Sequence, residues 1–220
     1  MAFAGLVIVS GSGQQAAREP ERIIAKSIPE CLHIGDVVEA LVLVDAGEAG
    51  DKFDLAISAE NNLVSATPEL SKDLSEPIAV IFRGEKFGED RVSLHVPGRP
   101  DIAPLITKIR VLPSFEPPQG LTTHPTTILS YSEPDPEGSP LEREIILRWW
   151  PKIGVQAFGI DMFSDRRRQA SGTLEFADTN SAKQWALPGE RHYWSIHAKI
   201  DTCTGGEVWT PSSPLIPFDS

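Results

Sequence analysis

Short stretches of apolar residues, separated by turn residues, recur along the whole chain. In the first half, several are rich in β-branched residues or alternate apolar with polar positions, which is the period of a β-strand. The predicted strands there are Val37–Val44, Phe53–Ser58, Ile78–Phe82 and the segments around Val92–Val96 and Ile106–Val111. Because no stretch shows a helical period, the pattern predicts an all-β fold in this half.

The second half shows the same apolar stretches separated by turn residues, after a proline-rich segment at residues 113–140. Proline has no N–H to donate to a β-sheet, so this segment predicts a stiff linker followed by an irregular edge strand. Further strands are predicted at Glu144–Trp150, Val155–Phe163, Leu174–Phe176, Trp185–Leu187, His192–Ala198 and from Val208 toward Phe218. We therefore expect a lead-in at 1–22, a β-sandwich at 23–112, a hinge at 113–118 and a second β-sandwich at 119–220.

Composition and charge narrow the class of partner. The net charge is −11, spread evenly over the two halves. Binding to nucleic acid or to an anionic membrane depends on basic surfaces, so the charge argues against both. The apolar run Ala2–Val9 is too short to span a bilayer and has no basic residue ahead of it, unlike a signal peptide.

The two cysteines, Cys31 and Cys203, fall in different predicted domains and outside any C-x-x-C motif. This predicts two free thiols in a reducing compartment, and hence a cytoplasmic protein. An alternative for Cys203 is a reactive thiol in a hairpin loop, with His197 upstream as its base.

Two segments of the second half have a recognisable pattern: Leu147-Arg148-Trp149-Trp150-Pro151 contains Leu-x-Trp before a proline, and Leu187–Ala198 combines a Leu/Pro-Gly turn with an alternating strand. They match the second strand and the turn and penultimate strand of one family, so residues 115–218 resemble a fibronectin type III domain. The corner tyrosine of that strand falls at His192, with Tyr193 one place on. Since a register slip would turn Trp194 out of the core, we place His192 at the corner, bonded to upstream backbone through a ring nitrogen.

The first half reads as immunoglobulin-like. Ile78–Gly88 and the alternating strand after it resemble the accessory domains found beside caspase-like (CHAT) peptidases in bacterial conflict systems. Together the two resemblances imply two tandem immunoglobulin/fibronectin III-like β-sandwiches. The peptidase resemblance implies a context for this chain and assigns it no activity.

The sequence gives no indication of catalysis. The five histidines have no metal-ligand spacing, and Gly11-Ser12-Gly13 lacks the lysine of a phosphate loop. We predict no catalytic residue, no metal and no cofactor. A hydrolase whose catalytic triad is dispersed along the sequence is a third hypothesis for the function.

The predicted function is a non-enzymatic interaction or regulatory module that binds another protein. The partner would be a caspase-like peptidase or effector of a bacterial defence system, with this chain as its regulator or its substrate. The alternative is a secreted carbohydrate-binding or cell-surface accessory protein with an exposed aromatic platform. The predicted partner-binding residues are Arg166, Arg167, Arg168, Trp150, Trp209 and Tyr193, because interfaces favour Arg, Trp and Tyr.

Overall fold

The computed structural model describes residues 22–45, 54–68, 77–131, 141–164, 172–174 and 179–219. Sixteen strands and no helix occur in these residues. They form two tandem β-sandwiches, as the strand pattern predicted, and these are of the immunoglobulin and fibronectin III kind that the resemblances implied.

The first sandwich contains eight strands. They are β1 (Arg22–Lys26), β2 (Cys31–His33), β3 (Val37–Asp45), β4 (Ala56–Ala59), β5 (Val64–Pro68), β6 (Ile78–Gly84), β7 (Gly88–His95) and β8 (Leu105–Leu112). One sheet has the order β1-β3-β6-β5 and the other β2-β8-β7-β4. All pairs are antiparallel except β2 with β8, which is parallel. Apart from β2, these orders are those of an immunoglobulin constant-type domain.

The second sandwich also contains eight strands. They are β9 (Thr122–Tyr131), β10 (Leu141–Arg148), β11 (Val155–Ser164), β12 (Gly172–Leu174), β13 (Ser181–Ala186), β14 (Arg191–Asp201), β15 (Glu207–Trp209) and β16 (Ile216–Asp219). A three-stranded sheet, β13-β10-β9, faces a sheet of order β12-β11-β14-β15, in which β16 also pairs with β14. The predicted irregular edge strand is β9, which holds Pro125 and pairs with β10 through a register shift.

Each sandwich has its own hydrophobic core, because alternate residues of facing sheets point inward. In the second sandwich, the alternation of the sequence predicts eight inward residues, and all of them lie in the core: Leu147, Trp149, Phe158, Ile160, Met162, Trp194, Ile196 and Ala198. The first core spans Ile23 to Val111 in sequence and includes residues of both of its sheets. The residue ranges of the predicted domains, including the 113–118 hinge, stay a prediction.

The corner of the second sandwich follows the predicted register. The His192 side chain is buried, and its Nε2 lies 3.1 Å from the carbonyl oxygen of Leu187. The ring also stacks on Phe218, and Trp194 stays in the core, where its Nε1 donates to Thr123 Oγ1 at 2.9 Å. His192 therefore ties the turn to upstream backbone as the family's tyrosine does, which confirms this prediction.

The two cysteines correct the sequence prediction. Cys31 and Cys203 form a disulfide between the two sandwiches, with Cα atoms 5.5 Å apart. The prediction of free thiols was wrong, because a contact between residues 172 positions apart cannot be read from local patterns. Cys203 therefore has no free thiol to act as a nucleophile, since a disulfide sulfur is not the thiolate that such chemistry needs.

Candidate partner-binding surface

Two of the predicted partner-binding residues lie together on the outer face of the second sandwich. In β14, His192, Trp194 and Ile196 point into the core, so Tyr193 and His197 point outward. Trp209, on β15, contacts the His197 ring edge-on, with ring centroids 4.7 Å apart. We call the outward side chains of this sheet the aromatic face, defined by Asp161, Phe163, Tyr193, His197 and Trp209.

The backbone register places these residues in rows across the sheet. Phe163 pairs with Tyr193, and Gly159 pairs with His197. Trp209 pairs with Lys199, which lies six residues beyond Tyr193 along β14. At about 3.4 Å per residue, the aromatic face is about 20 Å long. This length matches the centre of a small protein interface more closely than a pocket for a small molecule.

A glycine fixes the position of the His197 ring. A Cβ added at Gly159 would overlap the imidazole, so the ring occupies the space that a side chain at position 159 would fill. Its Nδ1 is buried without a hydrogen bond and lies 3.5 Å from Asp161 Oδ2. Trp209 then packs against this ring, which orders one flank of the aromatic face.

The charges around the aromatic face are mixed. Lys199 forms an ion pair with Glu207 beside Trp209, and Asp161 lies next to His197. Trp209 remains 38% exposed. An ordered, partly exposed indole with charges of both signs around it is suited to contact with a protein surface, where Trp and Tyr contribute most of the binding free energy.

The other two exposed tryptophans, of which Trp150 is a predicted partner-binding residue, lie elsewhere. Trp185, 41% exposed, is on the outer side of β13, in the opposite sheet of the same sandwich. Trp150, 65% exposed as predicted, lies in the β10–β11 loop, where its ring covers Gly120. The three exposed tryptophans therefore do not form one platform. Arg166, Arg167 and Arg168 lie outside the described residues, as does the predicted lead-in through residue 21.

The junction of the two sandwiches is a second candidate surface, and sequence reasoning missed it. His33 is buried there, with Nδ1 2.7 Å from the Pro113 carbonyl oxygen and its ring 4.1 Å from that of Phe115. From the other side, the Phe87 ring packs over Gly154, leaving no room for a Cβ. Gly154 has φ of +79°, a conformation that favours glycine. None of these residues belongs to a motif that would have identified it.

Lys152 holds the linker at this junction. Its Nζ donates to the Ser114 carbonyl oxygen at 2.9 Å, to Ser114 Oγ at 3.3 Å and to the Glu116 carbonyl oxygen. Burial lowers the pKa of Lys152, and the nearby charge of Glu116 opposes that shift only in part. The Lys152 ammonium group is hydrogen-bonded to backbone oxygens in place of water. It therefore connects the β10–β11 loop to the linker, and we call this connection the Lys152 strut.

Three cavities meet around Pro151 and Lys152. Their volumes are about 420, 210 and 500 Å³. The 500 Å³ cavity lies between the sandwiches, lined by Ile34, Leu63 and Phe87 of the first and by Pro151 and Ile153 of the second. The junction is therefore an apolar but incompletely filled contact.

Within the described ranges, no group of three or more His, Cys, Asp or Glu side chains is arranged to hold a metal ion. The same part of the chain has no helix long and apolar enough to cross a membrane.

Comparison with protein-family models and with curated protein sequences finds no match. Among solved structures, the chain is similar to domains A168–A170 of titin (TM-score 0.34, 10% identity), covering 87% of this chain and 61% of that one. It is also similar to a D1–D4 ectodomain fragment of ICAM-5 (0.42, 10%; 91% and 51%) and to bovine butyrophilin (0.36, 11%; 91% and 99%). The chain thus spans about half to three fifths of the first two. The fold assignment rests on the strand order described above and not on these likenesses.

Proposed function

We propose that the protein is a non-enzymatic interaction module that binds another protein through the aromatic face. The observation that carries this proposal is the placement of Tyr193 and Trp209 on one outward surface, ordered by the packing of His197 on Gly159. Aromatic side chains that are rigid before binding lose little conformational entropy on association.

The structure offers a matched control for this proposal. Trp209 and Trp185 are exposed to nearly the same extent, 38% and 41%, on opposite sheets of one sandwich. A contribution from the aromatic face predicts that Trp209→Ala weakens the partner's affinity by about 30-fold, the effect of a hot-spot residue. Trp185→Ala should leave the affinity unchanged.

The experiment is co-purification of the native protein with its partner, followed by binding titrations of the purified pair. Trp209→Ala, Tyr193→Ala and Trp185→Ala are compared with the unmodified chain. Equal affinities for Trp209→Ala and Trp185→Ala would place the binding site outside the aromatic face. The triple change of Arg166, Arg167 and Arg168 to Ala belongs in the same series, since these arginines follow β11 of the same sheet.

The finer hypothesis is that the partner is a caspase-like peptidase or effector of a bacterial defence system. It rests on the resemblance of Ile78–Gly88 to domains beside such peptidases. Incubation with a co-purifying peptidase separates the two roles in this hypothesis. A substrate is cleaved into fragments, whereas a regulator stays intact and changes the rate at which the peptidase cleaves a peptide.

A second candidate function is favoured by the disulfide. Disulfides persist in oxidising compartments, so Cys31–Cys203 supports a secreted or cell-surface accessory protein over a cytoplasmic one. The hypothesis that this accessory protein binds carbohydrate has less support, because Trp150, Trp185 and Trp209 do not share a platform. Fractionation of the native cells, with thiol labelling of each fraction, decides between export with a disulfide and cytoplasmic retention with two thiols.

A further inference from the structure

The disulfide joins two bodies that do not depend on it for their cores. The hydrophobic clusters of the two sandwiches share no residue, and neither cluster, among the described residues, contains a cysteine. A cross-link outside both cores adds little to the packing of either one. Its direct effect is on the position of one sandwich relative to the other.

Both ends of the disulfide are fixed to regular structure. Cys31 begins β2 and pairs with Arg110 near the end of β8. Cys203 lies in the tight turn between β14 and β15, which is closed by bonds from Thr202 N to Gly206 O (3.0 Å) and from Gly205 N to Thr202 O (3.1 Å). Since neither end is on a long loop, the bond transmits a fixed geometry from one sandwich to the other.

The remaining contacts of the junction are few and partly solvated. Phe87 and Phe115 are 40% and 45% exposed although they contact the junction, and the cavity that Phe87 lines measures about 500 Å³. Interfaces between domains of one chain are typically mobile unless they are large and hydrophobic. The noncovalent contacts at this junction therefore need the disulfide to hold one orientation.

We infer that Cys31–Cys203 is a reducible clamp, which sets the orientation of two independently folded sandwiches and opens their junction when a dithiol reduces it. Cys203 is exposed and Cys31 only partly so, which makes the Cys203 sulfur the accessible point of attack. One thiolate of the dithiol bonds to this sulfur and displaces the Cys31 thiolate. The second thiol of the reductant then displaces Cys203, so the protein gains two electrons and two protons and the dithiol becomes a disulfide.

This inference goes beyond the proposed function, because it concerns the geometry of the module and not the surface that binds a partner. An opened junction exposes the partly buried apolar lining of the cavity, including Ile34 and Leu63. It also releases the Lys152 ammonium from the carbonyl oxygens of Ser114 and Glu116.

The test compares the full chain before and after treatment with dithiothreitol, with the two thiols counted by mass spectrometry. The double variant Cys31→Ser/Cys203→Ser lacks the disulfide and so provides the unclamped state without reductant. Small-angle X-ray scattering reports the overall dimensions, and limited trypsin digestion reports cleavage after Lys152. Lys108, exposed within β8 and held by the pairing of β8 with β7, is the comparison site for trypsin in the first sandwich.

We expect an increase in the radius of gyration and severalfold faster cleavage after Lys152, with no change after Lys108. The unfolding transition followed by tryptophan fluorescence, which reports only the second sandwich because all five tryptophans lie there, should stay cooperative. Superimposable scattering curves with unchanged cleavage after Lys152 would overturn the inference. So would a disulfide that dithiothreitol reduces only when a sandwich unfolds.

Discussion

The two sandwiches reach related architectures with different cores. Among the described residues, the first core is almost entirely aliphatic, with Phe82 as the aromatic member of its buried cluster. The second is built around Trp149, Phe158, Trp194 and Phe218. Trp149 contacts both Phe158 and Trp194, with ring centroids 5.2 and 6.5 Å apart. The comparison teaches that alternation of inward positions specifies the sandwich, whereas the choice of aromatic or aliphatic side chains does not.

Each sandwich also has a buried polar residue near the start of the equivalent strand, which is β7 in the first sandwich and β14 in the second. In the first, Asp90 of β7 accepts backbone N–H bonds from Asn61, Leu63, Val64 and Arg91. In the second, His192 of β14 bonds to Leu187. Both strands follow a crossing from the opposite sheet. The Asp90 carboxylate accepts four N–H bonds, and the His192 imidazole bonds to one carbonyl oxygen. The two groups thus serve the same purpose, because each fixes a turn against its sandwich.

The largest expected effect is from the aromatic core. Trp194→Ala removes a fully buried indole and should destabilise the second sandwich by about 3–5 kcal/mol. Trp185→Ala, at an exposed position, should cost less than about 0.5 kcal/mol. Denaturant unfolding followed by fluorescence of the remaining tryptophans measures both, because all of them are in the second sandwich. Similar losses for the two variants would contradict the assigned core.

Asp90→Ala should be next in size, and its effect should be confined to the first sandwich. The change leaves four backbone donors without their carboxylate, and bonds to a charged acceptor contribute more than neutral ones. We expect a loss of about 2–4 kcal/mol for the first sandwich. Far-UV circular dichroism measures the combined unfolding, and an unchanged fluorescence transition would show that the second sandwich is unaffected.

The same carboxylate should make the first sandwich sensitive to acid. Burial alone would raise the pKa of Asp90, but the four backbone N–H bonds outweigh it and hold the pKa below its ordinary value. The carboxylate therefore contributes stability above the unfolded pKa of about 3.9, and this is lost as the pH falls through the folded pKa. Urea unfolding from pH 7 to pH 3 should show this loss. An equal pH slope in Asp90→Asn would contradict the assignment.

The smallest expected effect is at the corner of the second sandwich. His192→Phe keeps a ring against Phe218 but removes the bond to the Leu187 carbonyl oxygen. The expected loss is about 1 kcal/mol, the net contribution of one hydrogen bond. Tyr193→Phe, on the neighbouring outward position, should change the unfolding free energy much less. If Tyr193→Phe costs more than His192→Phe, the corner belongs to Tyr193.

Much of the fold could be predicted from the sequence, because long strands carry period-two alternation. Val37–Val44 was predicted as a strand, and His192–Ala198 was predicted with both its strand position and its inward face, which placed His192 at the corner. The strands β1, β2 and β5 were missed, since three to five residues such as Cys31–His33 are too short to show a period. Their strand conformation comes from pairing with β3, β8 and β6, which the residues of these short strands do not reveal.

The candidate sites could be predicted only in part. Alternation placed Tyr193 on an outward face, but the packing of His197 on Gly159 depends on the register between β11 and β14. The Cys31–Cys203 bond and the Lys152 strut join segments that local patterns do not relate. The even number of cysteines was the one sequence signal for the disulfide.

The central claim is that the chain consists of two sandwiches with separate cores. Hydrogen exchange of Asp90→Ala, measured by mass spectrometry with the disulfide intact, tests it most directly. The account predicts faster exchange within residues 22–112 and unchanged exchange in β10, β11 and β14 of the second sandwich. Faster exchange in those three strands, matching that of the first sandwich, would show a single cooperative unit and contradict the claim.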